Sequence, residues 1–97
     1  MCIRDRFQAL DDSSADVRAE AVTLIGKSCD AEDVEHMLVR KLADQDTQVR
    51  KNTAMALMKL EAFKAIKSLE MAKSTEKDES VQAVFNVAIN ILSRDSQ

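Results

Sequence analysis

Apolar residues recur along the chain at helical spacing, and the pattern returns every 32 residues. Val17, Val49 and Val81 occupy equivalent positions, each followed by apolar or small residues at offsets of four, seven, eight and eleven. At 100° per residue these offsets fall on one face of a helix. They are Ala21, Leu24, Ile25 and Ser28, then Thr53, Ala56, Leu57 and Leu60, then Phe85, Ala88, Ile89 and Leu92. Each valine is therefore predicted to open an amphipathic helix that buries this face.

The loops before these helices share two further features. Three residues before each valine stands a residue whose side-chain oxygen can accept a free amide of the first helical turn. These N-caps are Ser14, Asp46 and Asp78. Five residues before each valine stands an acid, and the three acids are Asp12, Asp44 and Glu76.

A second amphipathic segment lies between the valine-led helices. In the middle copy Val34, Met37, Leu38 and Leu42 share a face, with Asp30 as N-cap and Asp33 at the third helical position. The equivalents are Ile66, Leu69 and Ala72 or Lys73, preceded by Phe63, in the third copy, and Phe7 and Leu10 in the first. The repeating unit is therefore predicted to be a helical hairpin.

One junction leaves two interpretations open. From Val49 to Lys73 no Gly, Pro or capping residue forces a break after Asn52, so a single long helix is one alternative. The other is a turn near Glu61 and Ala62, because the apolar positions after Leu60 fall out of phase with those before it.

Stacked hairpins of this kind form a solenoid, because each hairpin buries its apolar face against its neighbours. We predict an all-α, right-handed α-solenoid of antiparallel hairpins with about two and a half repeats. The predicted organisation is a truncated first repeat at 7–28, a second repeat at 29–60, a third repeat at 61–93 and a polar tail at 94–97.

Residues 1–6 are expected to be non-native. They resemble the translation of a transposase adapter used in preparing DNA libraries, and such scars are excluded from fold reasoning. Removing them takes away two Arg and one Asp, which changes the net charge from −3 to −4. The chain would then be a fragment of a longer protein with Cys29 as its one native cysteine. The alternative is that residues 1–6 are native and that Ile3 and Phe7 lie on a first helix.

Composition narrows the fold and the classes of function. Proline is absent, Gly26 is the one glycine and 45% of residues are hydrophobic, which argues against a β-sandwich or an α/β nucleotide-binding fold. Charges of both signs are interspersed, so we expect no nucleic-acid partner. No apolar stretch reaches the length of a membrane span, so no membrane partner is expected. Two cysteines make no disulfide framework, which favours a reducing, cytoplasmic compartment.

The sequence Asp-x-x-x-x-Val-Arg, followed by Leu-Ile in the first copy and Ala-Leu in the second, resembles HEAT-like repeats of the short, phycobilin-lyase type. The resemblance covers roughly Phe7 to Leu92. It implies a ladder in which loop acids and arginines link neighbouring repeats, and its residues here are Asp12, Arg18, Asp44 and Arg50. The third copy departs from the pattern, with Glu76, Gln82 and Ser74 replacing the acid, the arginine and a leucine. Tetratricopeptide and ankyrin signatures are absent.

The resemblance also implies that the second helix of each hairpin lines a concave surface where protein partners lie. Candidate contacts are Lys27, Lys51, Asn52, Met55, Lys59 and Asn90. Positions three, six and ten after the valine change from polar (Glu20, Thr23, Lys27) through mixed (Asn52, Met55, Lys59) to apolar (Val84, Val87, Ile91). This last stripe predicts a further repeat packed there, burial against the neighbouring helix, or a surface for a partner or for self-association.

Candidate chemistry is sparse. His36 is the one histidine and is predicted to be exposed; beside Glu35 alone it makes no metal site. Cys29 has no neighbouring base and is interpreted as apolar filler, with a reactive thiol as the alternative. We therefore predict a non-catalytic protein-protein interaction scaffold without a cofactor. The alternative is a subunit of a bilin lyase or phycobilisome maturation factor. A HEAT-like nucleic-acid binder fits less well, because a basic face and stacking aromatics are missing.

Overall fold

The computed structural model describes residues 8–28 and 31–95, and within them the fold is entirely helical. Its helices are α1 (Ala15–Ser28), α2 (Ala31–Lys41), α3 (Thr47–Lys59), α4 (Ile66–Thr75) and α5 (Glu79–Asp95), with short 3-10 turns at Ala9–Asp11 and Phe63–Ala65. The all-α prediction is confirmed. Helix α5 runs two residues into the predicted polar tail. The predictions for residues 1–6, Phe7, Cys29 and Asp30 lie outside the described residues.

The valine-led helices begin where the capping residues predict. The Val49 amide donates to the Asp46 carboxylate at 3.1 Å, and the Val81 amide donates to Asp78 at 3.2 Å. In the first copy the Val17 amide faces the Ser14 hydroxyl at 3.5 Å. Each cap satisfies an amide that the first turn of a helix leaves without a backbone partner.

A sharp turn separates α3 from α4, which confirms the break near Glu61 and Ala62. Glu61 adopts the left-handed backbone conformation, with φ of 54°. The Ala62 amide donates to the Leu57 carbonyl at 3.0 Å and the Glu61 amide donates to the Met58 carbonyl at 3.1 Å. These are the two bonds of a Schellman C-cap. The single-helix alternative from Val49 to Lys73 is therefore wrong.

The helices form two layers. The valine-led helices α1, α3 and α5 pack side by side, while α2 packs on α3 and α4 packs on α5. The Cα atoms span 15 Å in the thin direction, as expected for helix axes about 10 Å apart with a Cα radius of about 2.3 Å on each side. An open groove lined by Val39, Leu42, Ser68 and Ala72 separates α2 from α4.

The core lies between the layers at most of the predicted positions. The side chains buried completely include Ile25, Val34, Leu38, Val49, Leu57, Leu69, Val81, Phe85 and Leu92. Val22 and Ala54, one position beyond the predicted face, are also fully buried. They are buried because neighbouring valine-led helices contact each other as well as their own hairpin partners.

Two predicted core residues are exposed instead. Val17 is 39% and Leu24 is 40% exposed, although the equivalent Val49 and Ala56 are buried. Ala56 is buried because it faces α1. No helix of the described residues lies on the corresponding side of α1, so Val17 and Leu24 are exposed.

Helices α1 and α3 approach each other closely at Gly26. A Cβ atom built on Gly26 would lie 2.6 Å from Ala56 Cβ and 3.0 Å from Ala56 Cα. The absence of a side chain therefore sets how tightly these two helices pack.

Candidate protein interface

The structure brings Arg18 and Asp44 together across neighbouring hairpins. Arg18 Nε and Nη2 donate to the two Asp44 carboxylate oxygens at 2.9 and 3.1 Å. Arg18 Nη1 also donates to the Asp12 carbonyl at 2.8 Å. One guanidinium thus joins the loop before its own helix to the loop of the next hairpin, with the bidentate geometry that favours arginine over lysine.

The same arrangement continues at Arg50. Its Nε and Nη2 atoms donate to Glu76 at 2.7 and 2.9 Å, and its Nη1 donates to the Asp44 carbonyl at 2.7 Å. Glu76 therefore takes the place that an aspartate holds in the loop before it, although the sequence pattern did not carry the ladder to the third copy. The sequence does contain a sign of this third ion pair, namely a glutamate at the loop-acid position. Its side chain is one methylene longer than that of aspartate but presents the same two carboxylate oxygens to the arginine.

The ion pair between Arg18 and Asp44 is partly buried, and the pKa values of both groups are shifted. Burial by itself would raise the pKa of Asp44, but hydrogen bonds from Arg18 and the Asp46 amide, together with the Arg18 charge, hold that pKa below its ordinary value of 3.8. The hydrogen bond to Asp44 also raises the pKa of Arg18. Both groups are therefore charged at neutral pH.

An apolar groove lies between α3 and α5 on the side where partner contacts were predicted. Its volume is about 310 Å³, and its lining consists of Met55, Met58, Ala83, Val84, Val87 and Ala88. Met55 is 42% and Val87 is 51% exposed. Three predicted interface residues, Met55, Val84 and Val87, thus converge, and Met58, Ala83 and Ala88 complete the groove.

The other predicted contacts are placed differently. Asn52 donates to the Ala19 carbonyl at 3.2 Å and accepts from Gln48 at 2.8 Å, so it links α3 to α1. Lys59 is exposed and lines a small cleft next to Met55, and Lys27 is exposed at the equivalent position of α1. The remaining three do not line the groove: Lys51 and Ile91 are half-buried and Asn90 is exposed.

The sequence left three interpretations open for the stripe of Val84, Val87 and Ile91: a following repeat, the neighbouring helix, or a partner surface. Val84 and Val87 face α3, the preceding helix of the layer. The side of α1 that meets α3 carries Gly26 and, one turn earlier, Val22. The positions on α5 that are equivalent to Val22 and Gly26, two repeats later, are Asn86 and Asn90, and both are polar. The sequence pattern showed an apolar stripe but not which neighbour it faces.

Comparison with known proteins accounts for the stacked hairpins. The sequence profile of HEAT repeats matches residues 3–90. The chain belongs to the HEAT-repeat family. It is similar to the bilin biosynthesis protein MpeU of Synechococcus sp. (strain WH8020), with 46% identity over 86 residues. That match covers 89% of this chain and 29% of the relative, so the chain spans less than a third of the length of the curated relative it matches.

Outside the ladder, the described residues show no cluster of side chains that could bind a metal ion. Within the described residues, no three or more His, Cys, Asp or Glu side chains form a group that would hold a metal ion. His36 is exposed on α2, as predicted. Among these same residues, none of the helices combines the length and the apolar character needed to cross a membrane.

Proposed function

We propose that this HEAT-repeat chain is a non-catalytic interaction scaffold and that a protein partner binds in the groove between α3 and α5. The observation that carries the proposal is the exposure of Met55 and Val87 in a groove lined by apolar residues. Clustered apolar side chains of this kind mark interaction surfaces. Methionine is well suited to such a surface because its flexible thioether adapts to the side chain it meets.

The size and surroundings of the groove indicate the type of partner. A volume of about 310 Å³ is at the lower end for small-molecule sites and suits one or two large apolar side chains of a helix laid along the groove. The exposed Lys59 lies beside Met55. A helix with an apolar anchor flanked by acidic residues would complement this surface.

A role in bilin biosynthesis is the second proposal, as a subunit of a bilin lyase or a related phycobilisome maturation factor. It is supported by the 46% identity to a bilin biosynthesis protein. In that role the scaffold would bind the acceptor protein, and a different part of the lyase or maturation factor would bind the bilin.

Calorimetric titration of the purified chain with an apo-phycobiliprotein subunit tests both proposals. Val87→Asp places a charge in the groove and is expected to weaken binding by roughly tenfold or more, as for a central apolar contact. The matched control is Met71→Asp, because Met71 is 66% exposed on α4 in the other layer. We expect that control to bind like the unchanged chain.

The outcomes separate the two proposals. Binding that Val87→Asp leaves unchanged would contradict the groove as the site. No binding of the apo-phycobiliprotein subunit by the unchanged chain would contradict the role in bilin biosynthesis.

A further inference from the structure

Met55 borders two cavities of opposite polarity, one on each side of α3. Toward α5 it lines the groove described above, whose lining residues are all apolar. Toward α1 it lines a small cleft together with Ala56 and three polar residues, Thr23, Asn52 and Lys59. One flexible side chain therefore separates an apolar surface from a polar one.

The cleft combines hydrogen-bond donors with a space of atomic size. Asn52 Nδ2 donates to the Ala19 carbonyl at 3.2 Å, and a side-chain amide has a second N–H to donate. Lys59 is exposed at the cleft, and its ammonium group has three donors. A cavity needs roughly 10–15 Å³ to hold one water molecule. The cleft volume of about 30 Å³ therefore leaves room for one added oxygen atom.

The Met55 thioether is open to oxidation, because the side chain is 42% exposed. In the reaction with hydrogen peroxide, the sulfur lone pair attacks one peroxide oxygen, so that an S–O bond forms and the O–O bond breaks. The attacked oxygen passes its proton to the departing hydroxide, which leaves as water. The sulfur is oxidised by two electrons and the peroxide is reduced. The product, methionine sulfoxide, is polar and accepts hydrogen bonds far better than the thioether does.

We propose that Met55 is a site of reversible oxidation that switches off the groove between α3 and α5. The residues lining the groove offer no side-chain donor to the sulfoxide oxygen, whereas Asn52 and Lys59 offer donors at the cleft. The oxidised side chain therefore turns toward the cleft, and the groove loses the apolar surface of Met55. The loss of partner binding rests on the proposed function, whereas the movement of the oxidised side chain is independent of it.

Peroxide treatment of the whole chain, followed by NMR without any partner, tests the movement. Tandem mass spectrometry selects the dose at which the exposed Met55 and Met71 are oxidised while the half-buried Met58 is not. At that dose we expect the nuclear Overhauser contacts of the Met55 methyl group with Val87 to weaken and those with Thr23 to strengthen. Unchanged contacts after oxidation of Met55, or oxidation of Met58 before Met55, would overturn the proposal.

Calorimetric titration with the apo-phycobiliprotein subunit provides the second readout. We expect oxidation to weaken binding by about tenfold or more, as for loss of a central apolar contact, and methionine sulfoxide reductases A and B to restore it. Failure of the unoxidised chain to bind would contradict the proposed function alone, since the NMR result still decides whether Met55 moves.

Two variants assign the effect to Met55. Met55→Leu keeps every other oxidisable group, including both cysteines, so peroxide should no longer change its affinity. Met71→Leu is the matched control, because Met71 is 66% exposed on α4 in the other layer, and it should respond to peroxide like the unchanged chain. A loss of affinity on oxidation that persists in Met55→Leu would contradict the switch.

Discussion

At the scale of single residues, identical sequence positions have different environments. Val49 and Val81 are fully buried, whereas Val17, at the same repeat position, is 39% exposed. We expect the valine of the motif to contribute more to stability in the second and third copies, because it buries more apolar surface there. This contrast provides a matched pair for mutagenesis.

Val49→Asp is expected to unfold the chain. It places a carboxylate without a partner in the centre of the core, at a cost above about 4 kcal/mol, which is most of the stability of a small domain. Val17→Asp makes the same chemical change at an exposed site and should shift the midpoint only slightly. Urea unfolding followed by circular dichroism compares the two. A cooperative Val49→Asp chain with an unchanged midpoint would show that the repeat register is wrong.

The lowered pKa of Asp44 predicts how stability depends on pH. The unfolded chain binds this proton more tightly than the folded one, so the contribution is full above about pH 4 and is lost as pH falls through the lower folded pKa. Asp78, whose pKa is lowered mainly by the Ser80 hydroxyl, acts in the same direction. In urea titrations from pH 6 to pH 2, the stability difference between the unchanged chain and Asp44→Asn should shrink with acid. A difference that stays constant or grows would contradict the ladder at Asp44.

At the scale of helices, the contact of α1 with α3 depends on a missing side chain. Gly26→Ala would normally favour a helix by about 1 kcal/mol. Here the added methyl group meets Ala56 Cβ at 2.6 Å, so we expect net destabilisation instead. The double variant Gly26→Ala/Ala56→Gly should recover part of the loss, because the methyl group is transferred from one helix to the other. Thermal melts of Gly26→Ala, Ala56→Gly and the double variant measure this coupling. A stabilised Gly26→Ala variant would show that the helices pack less closely.

The helices also show what the sequence could predict. The starts of α1, α3 and α5 follow from the caps at Ser14, Asp46 and Asp78, and the break at Glu61 follows from the change of phase after Leu60. Hydrophobic periodicity identifies the face of each helix that meets its hairpin partner. It does not say which flank meets the previous hairpin and which the next, because each valine-led helix has neighbours on both sides. For this reason Leu24 was placed in the core, and the stripe on α5 was left open between a following repeat, the neighbouring helix and a partner surface.

At the scale of the whole molecule, the stack joins an internal ladder to an external groove. The ladder ties successive loops through Arg18 and Arg50, while the valine-led helices pack side by side. Met55 and Val87 remain exposed on this layer because the groove between α3 and α5 is not filled by any side chain of the described residues. The family could be recognised from the motif, but the groove required the relative placement of α3 and α5.

Methyl NMR of the chain labelled at its methionines tests the claim that this groove receives a protein partner. Met55 and Met58 line the groove, whereas Met37 lies on α2 and Met71 lies on α4, in the other layer. On addition of an apo-phycobiliprotein subunit, we predict that the Met55 and Met58 methyl signals shift or broaden while those of Met37 and Met71 stay in place. Movement of Met37 or Met71 with Met55 and Met58 unchanged would contradict the account.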